Sequence, residues 1–130
     1  MVIDSSALLS ILLRENDSDE LMSSLLGARR RVIAAPTYLE SCIAATFRAG
    51  VRSSDQIRKL VRSTKIDIID FPTEAAHVAV EAFLKYGNGQ GHKAQLNFGD
   101  CISYAMSKTE MMPLLFKGED FRLTDVDCAI

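Results

Sequence analysis

The sequence predicts an α/β fold with a mostly parallel central sheet, organised as a single domain over residues 1–130. Two observations lead to the fold class. Short apolar runs alternate with longer stretches of helical periodicity along the whole chain, the pattern of strands joined by helical crossovers. The chain has 130 residues, enough for one domain with a sizeable core and too few for a second.

The elements follow in order. Met1–Ile3 reads as a buried strand ending at Asp4, and Ser5–Leu13 follows with helical spacing. Asp17-Ser18-Asp19-Glu20 supplies acidic N-terminal capping for a second helix through Leu26, with Gly27 just beyond it. Arg31–Ala35 reads as the second strand. Pro36-Thr37 opens a helix that runs to about Arg48 and stops before Gly50. Ser53 or Ser54 caps the next helix, through about Arg62. Asp67–Phe71 is a third strand closed by Pro72, and Thr73 caps a long helix to Tyr86. Gly87-Asn88-Gly89-Gln90-Gly91 is a flexible loop. Asn97 caps a helix through about Lys108, Leu114–Phe116 is a fourth strand, and Val126–Ile130 is expected as a fifth.

Composition narrows the function. Hydrophobic residues are 48% and charged residues 25%, an ordinary globular balance without a membrane-length apolar run. The N-terminus lacks the basic region and cleavage site of a signal peptide, so the expectation is a soluble cytoplasmic protein. Cys42, Cys101 and Cys128 form no Cys-x-x-Cys pair; they read as small apolar residues in or near the core. A net charge of −2 lends no support of its own to a nucleic-acid partner.

Four acids stand out by position. Ligands of open α/β sheets sit beyond the carboxyl ends of the strands. Asp4 ends the first strand. Glu40 and Asp100 lie in the first turns of helices, and Asp120 follows the fourth strand. Each also has a local role open to it. Thr37-x-x-Glu40 has the spacing of a capping box, and Asn97-x-x-Asp100 nearly repeats it. Asp4 could cap the first helix, and Asp120 could be a turn residue. Four carboxylates at one sheet edge would repel and raise one another's pKa values unless a cation sits among them. Magnesium and manganese favour such oxygen ligands, and one or two of these ions can activate water against a phosphodiester. Helix N-termini would help keep Glu40 and Asp100 ionised.

The segments around these acids are familiar. Val2-Ile3-Asp4-Ser5-Ser6-Ala7-Leu8 resembles the opening motif of PIN-domain nucleases, and Pro36-Thr37-Tyr38-Leu39-Glu40 resembles their second acidic motif. Leu96-Asn97-Phe98-Gly99-Asp100-Cys101-Ile102-Ser103-Tyr104-Ala105 is very similar to the third motif of VapC toxins. Leu114 to Asp125, with Lys117-Gly118-Glu119-Asp120-Phe121 at its centre, resembles the fourth. The resemblance implies a PIN-like α/β/α sandwich. It also implies the toxin of a type II toxin–antitoxin pair, a magnesium- or manganese-dependent endoribonuclease acting on RNA such as tRNA or rRNA. A cognate VapB-type antitoxin and a homodimer are implied with it. By position, Asp4, Glu40, Asp100 and Asp120 carry over as catalytic acids, with Asp4, Asp100 and Asp120 as metal ligands. Ser6, Thr124 and Asp125 carry over as supporting residues, and Glu119 competes with Asp120 for the metal-facing place. The rival reading is a non-cleaving RNA- or protein-binding module of the same fold.

Other features carry less. Arg29-Arg30-Arg31 reads as a solvated loop, whereas Lys117 and Arg122 flank Asp120 and are candidate phosphate contacts. The Gly87–Gly91 loop with His92 and Lys93 could lie along RNA but lacks the Gly-Lys-Ser/Thr ending of a P-loop. His77 and His92 show no zinc spacing. Apolar residues between Leu8 and Leu26 are core by default, with part of that surface available as a groove for an antitoxin helix.

Overall fold

A computed structural model describes all of residues 1–130. The elements are β1 (Val2–Ile3), α1 (Ser5–Leu13), α2 (Ser18–Gly27), β2 (Val32–Ala34), α3 (Ala35–Ala49), α4 (Ser53–Ser63), β3 (Asp67–Ile69), α5 (Thr73–Tyr86), α6 (Phe98–Glu110) and β4 (Leu114–Leu115). The strands form one parallel sheet in the order β3-β2-β1-β4. No helix is long and apolar enough to cross a membrane.

Alternation along the strands splits the core in two. Val2, Val32, Ala34 and Leu114 join an apolar cluster with residues of α5 and α6, such as Ala75, Ala82, Ile102 and Met106. Ile3, Ile33 and Leu115 join a second cluster with Leu8, Leu21, Leu25, Ala45, Ile57 and Val61. Both faces of the sheet are therefore covered, which explains why its short strands read as continuous apolar runs. The result is an α/β/α sandwich, as the sequence predicts.

The strand order places the functional edge. From β1 the chain steps outward through β2 to β3, then returns to lay β4 on the other side of β1. Between β1 and β4 the direction of winding reverses, and crevices open at such switch points. Asp4 leaves β1 at this place, and the Lys117–Asp120 loop leaves β4 beside it.

Several local expectations are corrected. Val126–Ile130 is not a strand: only an isolated bridge pairs Leu114 with Cys128. The two-residue β4 offers too short a ladder to extend it. A single 3₁₀ turn at Phe121–Leu123, unforeseen in the sequence, fills part of that connection. The other strands are one or two residues shorter than expected, because Ala35 is already helical and extended backbone ends at Ile69 and Leu115. Thr37 does not cap α3. The helix begins two residues earlier, so the Thr37 hydroxyl is buried inside the first turn without a partner. Ser53 and Thr73 likewise sit at the first helical position, and neither α4 nor α5 has a side-chain cap. Asp17 occupies the N-cap position of α2 but spends its carboxylate on Ser10 and Lys117 instead. Of the cysteines, Cys101 is buried, Cys42 half-buried and Cys128 exposed, so Cys128 departs from the core reading.

Candidate active site

Asp4 is held by three hydrogen bonds. It is 2% exposed, at the end of β1 and the N-cap of α1. Its Oδ2 accepts from the Ser6 backbone N–H at 2.9 Å and the Ser6 hydroxyl at 2.6 Å. Its Oδ1 accepts from the Ser103 hydroxyl at 2.6 Å. A carboxylate offers about four acceptor positions, so three are filled and one remains. Ser6 does a second job: its hydroxyl oxygen accepts from the Lys117 backbone N–H at 3.0 Å, which fastens the loop after β4 to the start of α1.

Asp100 sits in the first turn of α6 and is held by a complete capping box. Asn97 Oδ1 accepts from the Asp100 N–H at 3.0 Å, and Asp100 Oδ2 accepts from the Asn97 N–H at 2.8 Å. Ser103, one turn further along α6, shares its face and reaches Asp4. Glu40 comes from α3 and lies against the first turn of α6 at Gly99. A Cβ on Gly99 would stand 2.5 Å from Glu40 Oε1 and 2.7 Å from Oε2. A side chain at this position would oblige the Glu40 carboxylate to move from its present place.

The four acids converge. Asp4, Glu40, Asp100 and Asp120 all line one open cleft of about 760 Å³, together with Ser5, Ser6, Glu15, Arg48, Asn97 and Lys117. Burial, the neighbouring charges of Asp4, Asp120 and Glu40, and an opposing backbone hydrogen bond from Asn97 act on Asp100. Burial is the largest, and the carboxyl is pushed up to about 6. Glu40 is raised as well, first by burial and then by Asp4, with Ser5 working the other way. The helix N-termini therefore do not hold these two carboxyls at ordinary values; burial and crowding outweigh them.

No group of three His, Cys, Asp or Glu side chains is placed to hold a metal ion by itself. An ion in the cleft would be held by one or two carboxylates, with water completing its shell. An all-oxygen donor set, mutually repelling carboxyls and a free acceptor position on Asp4 fit a hard divalent cation.

The remaining candidates divide. Lys117 lines the cleft, but Arg122 does not: it lies over the Phe116 ring at 5.7 Å and 3.8 Å from Glu119. Glu119 is 81% exposed and turned toward Arg122, so Asp120 is the residue that faces the cleft. Asp125 is directed elsewhere. Its carboxylate accepts from the Tyr104 hydroxyl at 2.6 Å and the Tyr86 hydroxyl at 3.1 Å, with Lys108 at 3.6 Å, and its titration is lowered, chiefly by Tyr104. Thr124 closes the 3₁₀ turn by donating to the Phe121 carbonyl at 2.7 Å. Arg30 pairs with Glu110 and Arg31 with the Thr64 carbonyl, outside the cleft. The glycine loop, His92 and Lys93 do not line it either. Sequence reasoning missed Ser103, Glu15 and Arg48. Only Ser103 carried a signal, its spacing of three from Asp100 on one helix.

A parallel α/β/α sandwich with an acidic cleft at its switch point defines a class of protein, and the PIN-domain family model matches residues 1–127. The chain belongs to the PIN-domain family. Within it, the chain groups with the VapC ribonucleases. It is 39% identical over 126 residues to Ribonuclease VapC of Mycolicibacterium smegmatis, covering 97% of each chain. It is 35% identical to Ribonuclease VapC30 of Mycobacterium tuberculosis, covering 97% of this chain and 95% of that one. The fold is shared with VapC20 of Mycobacterium tuberculosis, a sarcin–ricin loop cleaving toxin, at TM-score 0.78 and 14% identity over 96% of this chain and 95% of the other. A toxin–antitoxin complex from Klebsiella pneumoniae aligns at TM-score 0.67 and 17% identity, over 92% and 88%.

Proposed function

We propose that the chain is a VapC-type toxin, an endoribonuclease that hydrolyses RNA phosphodiester bonds with magnesium or manganese. One observation carries the reading: four carboxylates from four separate stretches of sequence line a single cleft at the switch point of the sheet. Kinship with ribonucleases names the substrate class.

Asp4 and Asp100 are the residues to hold the ion, with Asp120 completing the wall and Glu40 beside them. These residues would hold a divalent ion, which would supply activation of water and offset charge on the phosphodiester. Ser103 and Ser6 keep the Asp4 carboxylate oriented toward the cleft. Glu40 and Asp100 are both raised, first by burial, and a cation held among them would favour their ionised forms. Asn97 fixes Asp100, and Gly99 leaves Glu40 its space.

Pairing with a second copy and neutralisation by a VapB-type antitoxin belong to the same reading. Apolar side chains left open on the helices support it: Leu39, Ile43 and Phe47 on α3, and Val80, Phe83 and Leu84 on α5. A cytoplasmic location follows from an RNA target of this kind.

The purified protein should cleave tRNA or rRNA from its host with magnesium or manganese, and lose that cleavage in EDTA. Retained cleavage in EDTA would remove the metal from the mechanism. Failure to cut any of these RNAs with either ion would favour the non-cleaving binding module.

A further inference from the structure

The cleft sets five carboxylates against two cations, Arg48 and Lys117. An RNA strand entering it meets a negative wall, and its phosphates find only these two cationic side chains in the lining. Both are already engaged, and by the same residue. Arg48 Nη2 donates to Glu15 Oε1 at 2.5 Å, and Lys117 Nζ donates to Glu15 Oε2 at 2.5 Å.

The three residues come from separate places. Arg48 is in the last turn of α3, Lys117 follows β4, and Glu15 follows α1. Arg14, in the left-handed conformation, ends α1, and the Glu15 N–H bonds the Ser10 carbonyl at 3.1 Å. Glu15 is thus aimed by its backbone. Lys117 has a second partner, Asp17, at 3.2 Å. Its own backbone N–H rests on the Ser6 hydroxyl, which bonds Asp4. The Lys117 backbone is therefore tied through one hydroxyl to Asp4.

One carboxylate holds two cations, one on each oxygen. That is how two cations would take the two non-bridging oxygens of a phosphodiester. The side chains stay open to solvent: Arg48 is 50% exposed, Lys117 38% and Glu15 25%. Exposed pairs of this kind hold weakly, so a phosphate can replace the carboxylate.

We propose that Arg48 and Lys117 form the phosphate clamp for the RNA strand, and that Glu15 is an internal stand-in for the phosphate, displaced when RNA binds. This rests on the ribonuclease reading for the identity of the ligand. In the free protein Glu15 keeps the clamp assembled and competes with RNA for it. When RNA displaces Glu15, the released carboxylate takes up a cation from solution, which reduces the net release of counterions.

The test is fluorescence anisotropy of the full chain with a short labelled mixed-sequence single-stranded RNA, in EDTA so that no strand is cut. Glu15→Gln should bind about three- to tenfold more tightly at low salt, and its plot of log affinity against log salt should steepen by up to about one ion. Adding Lys117→Met or Arg48→Met to Glu15→Gln should cancel the gain. Lys117→Met or Arg48→Met alone should weaken binding by about threefold, an arm that needs no change at Glu15. Thermal unfolding confirms that each variant is folded. Unchanged or weaker binding by folded Glu15→Gln with an unchanged salt slope would overturn the proposal. So would a gain that survives both cation replacements, or an absence of RNA binding by every variant. Failure of the ribonuclease reading shows separately, as an unaltered chain that cuts no RNA with metal while the binding series behaves as described.

Discussion

Asp100→Asn is expected to abolish RNA cleavage and, at the same time, to stabilise the metal-free protein at neutral pH. Loss of a metal-holding carboxylate should lower kcat by about a thousandfold or more, the scale of several kcal/mol of charge stabilisation. The stability gain has a different origin. Burial and three neighbouring carboxylates push Asp100 up to about 6 in the fold from an ordinary value of 3.8. Folded protein therefore holds this proton more tightly than unfolded protein does. By about pH 3 the group is neutral in both states and costs almost nothing. As pH rises toward about 6 the unfolded state ionises first, and above that the full penalty is present. Discounted for its partial exposure, the penalty is about 1–2 kcal/mol. Asparagine removes the charge and keeps an acceptor for the Asn97 N–H, so the capping box survives. Thermal unfolding in EDTA should show the variant more stable than the unaltered chain above about pH 7, with the difference shrinking as pH falls and vanishing toward about pH 3. A variant that is less stable at neutral pH would show that Asp100 is a structural cap rather than a strained ligand.

Asp4 should answer in the opposite sense. Its carboxylate accepts three hydrogen bonds, two from Ser6 and one from buried Ser103. Asp4→Ala removes the cap of α1 and strands the Ser103 hydroxyl, at a combined cost of about 2–4 kcal/mol. Asp4→Asn retains an acceptor for the Ser6 N–H and should cost much less. Both variants should lose cleavage to the same degree. Urea unfolding and RNA cleavage measured side by side separate the two roles. If Asp4→Ala unfolded at the same urea concentration as the unaltered chain, the hydrogen-bond set described for Asp4 would not be holding the fold.

Local signals in the sequence were reliable where the physics is local. Asp4 as a cap, the Asn97–Asp100 box and the alternation of strands with helices depend on neighbours within one turn or one strand. Thr37 shows how a local signal fails. The first two helical positions went to Ala35 and Pro36, so the threonine that had the spacing of a cap was carried inside the helix. The missing fifth strand is a failure of another kind, since a strand exists only if a distant partner offers a ladder. Asp125 belongs to the same segment as Asp120, yet a 3₁₀ turn intervenes and two tyrosine hydroxyls from α5 and α6 hold it away from the cleft. The Arg48–Glu15–Lys117 cluster joins residues 33 and 102 positions apart, and no pattern along the chain could announce it.

The convergence of the four acids is the feature on which function depends, and a crystal structure grown with manganese tests it most directly. Anomalous density is expected in the cleft, within about 2.2 Å of carboxylate oxygens of Asp4 and Asp100, with Asp120 and Glu40 around it directly or through water. Manganese bound away from these residues, or a cleft without manganese at saturating concentration, would contradict the assignment.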